Sequence, residues 1–304
     1  MHDVNSDAPT SPGVTPTPPT PPASRVRIDV GAHTDKGRVR ENNEDSYVIY
    51  RLGRFLEPVS SNIAAEQVPP AAQDVGYLMM VADGLGGHEG GEIASRTALV
   101  TSLEFILRSP QWALKFDDPR TRDREIAAMQ ERSRAYLAGV HETILRQAQQ
   151  RPELTGMGTT LTGAWSVGLD LFVLHVGDSR AYLMRGSRLR KVTHDHTVAQ
   201  DYADQGLIAQ HEVDRHRMSH VLTRAVGGHG DDVEGDMHHV RLSPGDRLLL
   251  CSDGLTDMVS DQEILQVLRS GMPSEKIART LVELANDHGG KDNVTVVVAG
   301  YAVE

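Results

Sequence analysis

From residue 25 onward, apolar runs of strand length alternate with longer stretches in which apolar residues return near a 3.6-residue period. The short runs are rich in Val, Leu, Thr and Tyr. They predict strands over 26–33, 46–52, 76–82, 159–167, 171–176, 180–185, 247–251 and 293–302. Several alternate apolar with polar residues, and hairpin-like spacings separate Val167 from Leu171 and Val176 from Arg180, so much of the sheet structure is expected to be antiparallel. Two long helices are predicted between the third and fourth strands. The first, 91–108, carries Ile93, Ala94, Ala98 and Phe105 near helical period; the second, 122–150, has an apolar stripe of Ile126, Met129, Leu137, Val140 and Ile144. Shorter helices are expected over 197–205, 261–269 and 274–287. Pro, Asn and Gln interrupt any period over 54–74 and 109–121, which read as long loops or insertions.

Residues 8–24 are almost wholly Pro, Thr, Ser, Gly and Ala and offer nothing to bury, so 1–25 is expected to be a disordered tail before one domain over 26–304. A chain of 304 residues with 39% apolar content has enough material for a sizeable core. The single cysteine, Cys251, excludes a disulfide framework and any Cys-rich metal site, so a metal here would need oxygen or imidazole ligands. A net charge of -11 without a basic run argues against nucleic acid or an anionic membrane as partner. The first residues lack the features of a signal peptide and no apolar stretch is long enough to span a bilayer, so a soluble, cytoplasmic protein is expected.

Aspartates fall at the ends of the most apolar strands. Asp83-Gly84 follows Leu78 to Ala82, Asp253-Gly254 follows Leu248 to Ser252, and Asp178 follows Phe172 to Gly177. Asp292 precedes the run from Asn293 to Val298, and Asp45 opens the strand at Ser46. Taken singly, each reads as a cap or as a turn whose glycine tolerates positive φ. Taken together, carboxylates gathered at one sheet edge would repel one another unless a cation neutralised them. Oxygen ligands without thiolates suit Mg²⁺ or Mn²⁺ rather than zinc, and the glycine after Asp83 would let a backbone carbonyl approach the ion. Arg40, just before Asp45, is then the natural fork for a phosphate.

These residues resemble the metal-dependent serine/threonine protein phosphatases of the type 2C, or PPM, family in its bacterial form. The resemblance rests on Thr34 to Asp45, Val81 to His88 with Gly91 to Ser95, Gly158-Thr159-Thr160, Val176 to Arg180, Asp195-His196-Thr197, Leu222 to Gly227, Ser252 to Leu255 and Gly290 to Thr295, in family order over Val26 to Val303. It implies an α+β fold, a four-layer α-β-β-α sandwich with two central antiparallel sheets and a dinuclear centre at one end. It implies that Asp83 bridges both metals, that Gly84 gives its carbonyl to one, and that Asp45, Asp253 and Asp292 complete the pair. By the same likeness Asp178 holds a third ion, Glu44 makes an indirect contact, Arg40 binds phosphate and Thr193 to Gly227 form a mobile flap. Leu85 stands where some eukaryotic members carry a histidine proposed to protonate the leaving group, which leaves the general acid open; His88 reads as a loop or helix-start residue.

The implied reaction is in-line attack on phosphorus by a water or hydroxide bridging the two metals, without a phospho-enzyme. Cys251 is then core filler. Expected substrates are phosphorylated proteins, a serine/threonine kinase among them, and the chain is expected to be a monomer. One rival is a zinc hydrolase built from His194, His196, His211, His216 and His220, although the glutamate pattern of a zincin helix is missing. A dinucleotide site lacks its third glycine after Gly84-Leu85-Gly86. A phosphoprotein-binding pseudophosphatase without turnover is the non-enzyme alternative.

Overall fold

The computed structural model describes residues 26–56, 72–86, 89–108, 119–230 and 232–303. In chain order the elements are β1 (Val26–Asp35), β2 (Ser46–Leu56), β3 (Ala72–Ala82), β4 (Gly84–Leu85), α1 (Glu89–Arg108), α2 (Pro119–Gln150), β5 (Gly158–Thr159), β6 (Leu161–Val167), β7 (Asp170–Val176), β8 (Arg180–Arg185) and β9 (Arg188–Lys191). There follow α3 (Val198–Asp204), β10 (Val226–Gly227), β11 (Asp236–Arg241), β12 (Arg247–Cys251), α4 (Asp253–Thr256), α5 (Asp261–Leu268), α6 (Ser274–Asp287) and β13 (Val294–Val303).

Two five-stranded sheets, β1-β13-β12-β8-β9 and β11-β7-β6-β3-β2, stack face to face, with a small sheet β10-β5-β4 at one end. Every paired ladder is antiparallel. The inner strands read as nearly continuous apolar runs because both of their faces are buried. In β3, Met79 and Val81 point between the sheets, while Leu78 and Met80 pack with Leu99 of α1 and Leu137, Val140 and Ile144 of α2. In β12, Leu248 and Leu250 face the other sheet, whereas Leu249 packs under Ile264 of α5 and Ile277 and Leu281 of α6. Helix, sheet, sheet and helix thus form the four layers that the resemblance implied.

The predicted strands and helices are present with ends shifted by a few residues, except that the strand expected over 159–167 is two, β5 in the small sheet and β6 in a five-stranded one. Besides the two-residue strands β4 and β10, the edge strands β9 (Arg-Leu-Arg-Lys) and β11 (Asp-Met-His-His-Val-Arg) escaped the hydrophobic pattern, because they are mostly polar. Backbone pairing with an inner strand holds an edge strand whether or not it carries an apolar run. The spacing between Val176 and Arg180 is not a hairpin: β7 and β8 lie in different sheets, and Gly177 to Ser179 carry the chain across. Gly177 turns there at φ +106, where a Cβ would lie 2.6 Å from the Thr160 methyl. The expected loop 54–74 is strand at both ends, since β2 and β3 stay paired out to Leu56 and Ala72, and α2 begins at Pro119 inside the expected loop 109–121. The centres of both loops, the tail 1–25 and His88 lie outside the described residues. No helix among the described residues is long and apolar enough to cross a membrane.

Candidate metal and phosphate site

Strand register gathers the five aspartates. Ser46 pairs with Ala82, so Asp45, one residue before β2, and Asp83, one residue after β3, leave the same end of one ladder. In the other sheet Cys251 pairs with both Val296 and Arg180. This brings Asp253, Asp292 and Asp178 together at the corresponding end.

Hydrogen bonds then fix each carboxylate. The Ser252 hydroxyl donates to Asp45 Oδ2 at 2.7 Å and accepts the Thr295 N–H at 2.9 Å, tying β2 to β12 and β13. The Asp83 N–H donates to the Thr160 hydroxyl at 3.0 Å, and its carbonyl accepts the Thr160 N–H at 2.9 Å and the Thr159 hydroxyl at 2.8 Å. Asn293 clamps the segment that carries Arg40: its side-chain oxygen accepts the Glu44 N–H at 2.8 Å, while its amide donates to the carbonyls of Lys36 and Asn42. Ser95 on α1 donates to the Glu44 carbonyl at 2.7 Å.

The Asp-Gly pairs are not turns. Neither Gly84 nor Gly254 has positive φ. Each is glycine because backbone packs against it: a Cβ on Gly84 would strike the Gly91 carbonyl at the start of α1, and one on Gly254 would strike the Asn293 carbonyl. Asp253 opens α4, with Asp257 one turn later at its end.

The cluster is electrostatically unbalanced. Asp45 Oδ1 and Asp253 Oδ1 are buried and accept no hydrogen bond from the described residues. Burial pushes the Asp45 carboxyl up to about 7, against the pull of the Ser252 and Thr295 hydroxyls, and Asp253 and Asp292 add to the rise. Asp83 is held well above the carboxylate range by burial first and then by Asp45, Asp253, Asp178 and Asp292. Burial, then Asp253 and Asp195, do the same to Asp178. Sequence reasoning missed Asp257, which burial and Asp253 raise to about 6; its position four residues beyond Asp253 was the available signal. Buried anionic oxygens without donors, and no thiolate among them, fit hard divalent cations.

Arg40 stands at the rim, its Nη2 donating to Asp292 Oδ2 at 2.5 Å, and its side chain is 54% exposed. Asp292 Oδ1 accepts the Asn293 N–H at 2.8 Å. Asp45, Asp83, Asp253, Asp292, Asp178, Gly84 and Arg40 therefore converge at one end of the sandwich.

The rival zinc cluster of five histidines does not assemble among the described residues. His194 faces Asp204, and His196 sits between the Gly177 N–H and Asp236. Only His220 of that group joins acidic neighbours close enough to share an ion, namely Asp178 and Asp253, among the described residues. Cys251 is fully buried and burial pushes its thiol up to about 12, so it is inert core.

The family model for Protein phosphatase 2C matches residues 46–294. The chain is 37% identical over 268 residues to the serine/threonine protein phosphatase PstP of Mycobacterium tuberculosis, covering 88% of this chain and 44% of that protein, so it spans under half the length of that relative. It is 32% identical over 265 residues to the serine/threonine phosphatase stp of Listeria innocua, covering 87% of this chain and 92% of that one. The crystal structure of the PstP catalytic domain in complex with two manganese ions superposes with a TM-score of 0.69 at 34% identity, covering 91% of this chain and all of that chain. On this family match, these identities and the shared architecture, the chain belongs to the protein phosphatase 2C family.

Proposed function

We propose that the chain is a metal-dependent serine/threonine protein phosphatase that hydrolyses phosphoserine and phosphothreonine in proteins, with Asp45, Asp83, Gly84, Asp253 and Asp292 holding two Mg²⁺ or Mn²⁺ ions. The observation that carries this reading is the meeting of Asp45, Asp83, Asp253 and Asp292 at one sheet end, where buried oxygens of Asp45 and Asp253 have no donor among the described residues and the neighbouring carboxylates push Asp83 up. When bound, such ions supply positive charge to the phosphoryl group and lower the pKa of water.

The chain's own residues supply position. Ser252 orients Asp45 through its hydroxyl, Thr159 and Thr160 hold the backbone of Asp83, and Asn293 sets the segment from Lys36 to Glu44. Arg40 is anchored to Asp292 through one nitrogen and exposed enough to turn its fork to a phosphate arriving from solvent. Asp178 is read as the ligand of a third ion. With Cys251 sealed in β12, no thiolate is placed to act as nucleophile. The proposal extends to action in the cytoplasm, as a monomer, opposite a serine/threonine kinase.

The test is phosphate release from a phosphothreonine peptide with Mn²⁺. Asp83→Asn and Asp253→Asn are expected to abolish it while keeping the folded circular-dichroism spectrum. Full activity in either variant, or in excess chelator, refutes the reading. Phosphopeptide binding without release by the unaltered chain would instead identify a pseudophosphatase.

A further inference from the structure

We infer that His220 is an imidazole ligand to a divalent cation shared with Asp178 and Asp253, so that the segment 193–227 itself completes this ion's shell and biases it toward a transition metal such as Mn²⁺ over Mg²⁺. The inference rests on the reading of Asp178 as an ion ligand and adds the residue that closes the site.

Three observations carry it. One ligand atom each from Asp178, His220 and Asp253 lie within 4.8 Å of one another. Ligand atoms roughly 2.1 Å from one octahedral ion stand about 3.0 to 4.2 Å apart, so this triangle is of the size an ion would draw together. His220 Nδ1 is 3.5 Å from Asp253 Oδ2, and Nε2 is 3.6 Å from Asp257 Oδ2, both long for a direct hydrogen bond.

Second, Asp178 is only 8% exposed, yet its carboxylate makes no hydrogen bond with the described residues, although each of its oxygens has room for two. A buried carboxylate aimed at an imidazole and a second carboxylate, with no donor of its own, lacks a partner that a cation would provide.

Third, His220 is held in place by its backbone. Thr197 bridges Leu222, the Val198 N–H donates to the Val221 carbonyl at 2.9 Å, and the Thr223 N–H donates to the His196 carbonyl at 2.9 Å. His196 in turn grips Gly177, donating its N–H to the Gly177 carbonyl at 2.8 Å and accepting the Gly177 N–H on Nδ1 at 3.1 Å. Gly177 precedes Asp178, so one short network sets both sides of the triangle. Carboxylates alone suit Mg²⁺, and adding an imidazole favours first-row transition metals.

The full chain is titrated with Mn²⁺ and separately with Mg²⁺ by calorimetry, and pulsed electron paramagnetic resonance detects nitrogen hyperfine coupling to bound Mn²⁺. The unaltered chain is expected to show that coupling once a third equivalent is loaded. In His220→Ala the coupling disappears and the third Mn²⁺ weakens roughly tenfold, while Mg²⁺ binding changes less than about twofold. Asp178→Ala loses the third equivalent altogether. Absence of nitrogen coupling in the unaltered chain, or its persistence in His220→Ala, overturns the assignment of His220 alone. A third equivalent that survives in Asp178→Ala overturns the reading of Asp178 and this inference with it.

Discussion

Asp45 is buried and Asp83 partly buried at strand ends, held by Ser252, Thr159 and Thr160, whereas Arg40 and His220 reach the same centre with their own side chains more than half exposed. The inner half is fixed by sheet register and carries charge that water cannot screen. The outer half is solvated, so its members can exchange partners at little cost. In the proposed function, placement of the ions would belong to the first half and recognition of what arrives from solvent to the second.

The inner half breaks most severely. Asp83→Asn is expected to lower kcat by about a thousandfold or more, since a carboxylate that would hold the proposed ions is lost. The same change removes buried repulsion, so the metal-free variant should melt above the metal-free parent at neutral pH, and Mn²⁺ should no longer raise its melting temperature. Linkage gives this contrast a pH signature. The folded Asp45 carboxyl lies near 7, above its ordinary value, so its favourable contribution is complete below about pH 4 and is lost as pH rises through 7. Metal-free protein should therefore lose stability over that window, and Mn²⁺-loaded protein should not. A flat profile in chelator would contradict the burial argument.

The outer half should fail more gently. Arg40→Ala is expected to reduce kcat/KM for a phosphopeptide by about a hundredfold, with Arg40→Lys recovering part of it, and to leave metal-dependent melting unchanged. Steady-state kinetics beside melting curves separate the two halves, and a lost Mn²⁺ response in Arg40→Ala would erase the distinction.

Between them lies Ser252, which contacts an inner ligand without being one. Ser252→Ala should cost about 1–2 kcal/mol of stability and roughly tenfold in activity, as read by denaturant titration and phosphate release. The smallest effect is expected from Cys251→Ala, which should keep kcat within about twofold while losing some core packing. Loss of activity there would revive a thiolate mechanism.

The layered fold was largely legible in the chain, because strands buried on both faces show themselves as apolar runs and helices as periodic stripes. Polar edges were not: β11 is held by its ladder to β7, and no local signal in Asp-Met-His-His-Val-Arg announces a strand. Gly84 and Gly254 were visible as glycines, but the reason for them, helix and loop backbone pressed against the strand ends, is a contact between segments distant in sequence.

By itself the sequence determined the residue types at the strand ends, the absence of thiolate ligands and the order of the motifs, since these are properties of neighbours along the chain. Only the tertiary structure decided that Asp45 meets Asp83 and Ser252, that Asn293 clamps the Arg40 segment, and that Asp257 and His220 join the rim. Those relations depend on register between strands and on how the two sheets stack. Composition cannot encode either, because the partners lie up to hundreds of residues apart and meet only when both faces of each sheet are buried.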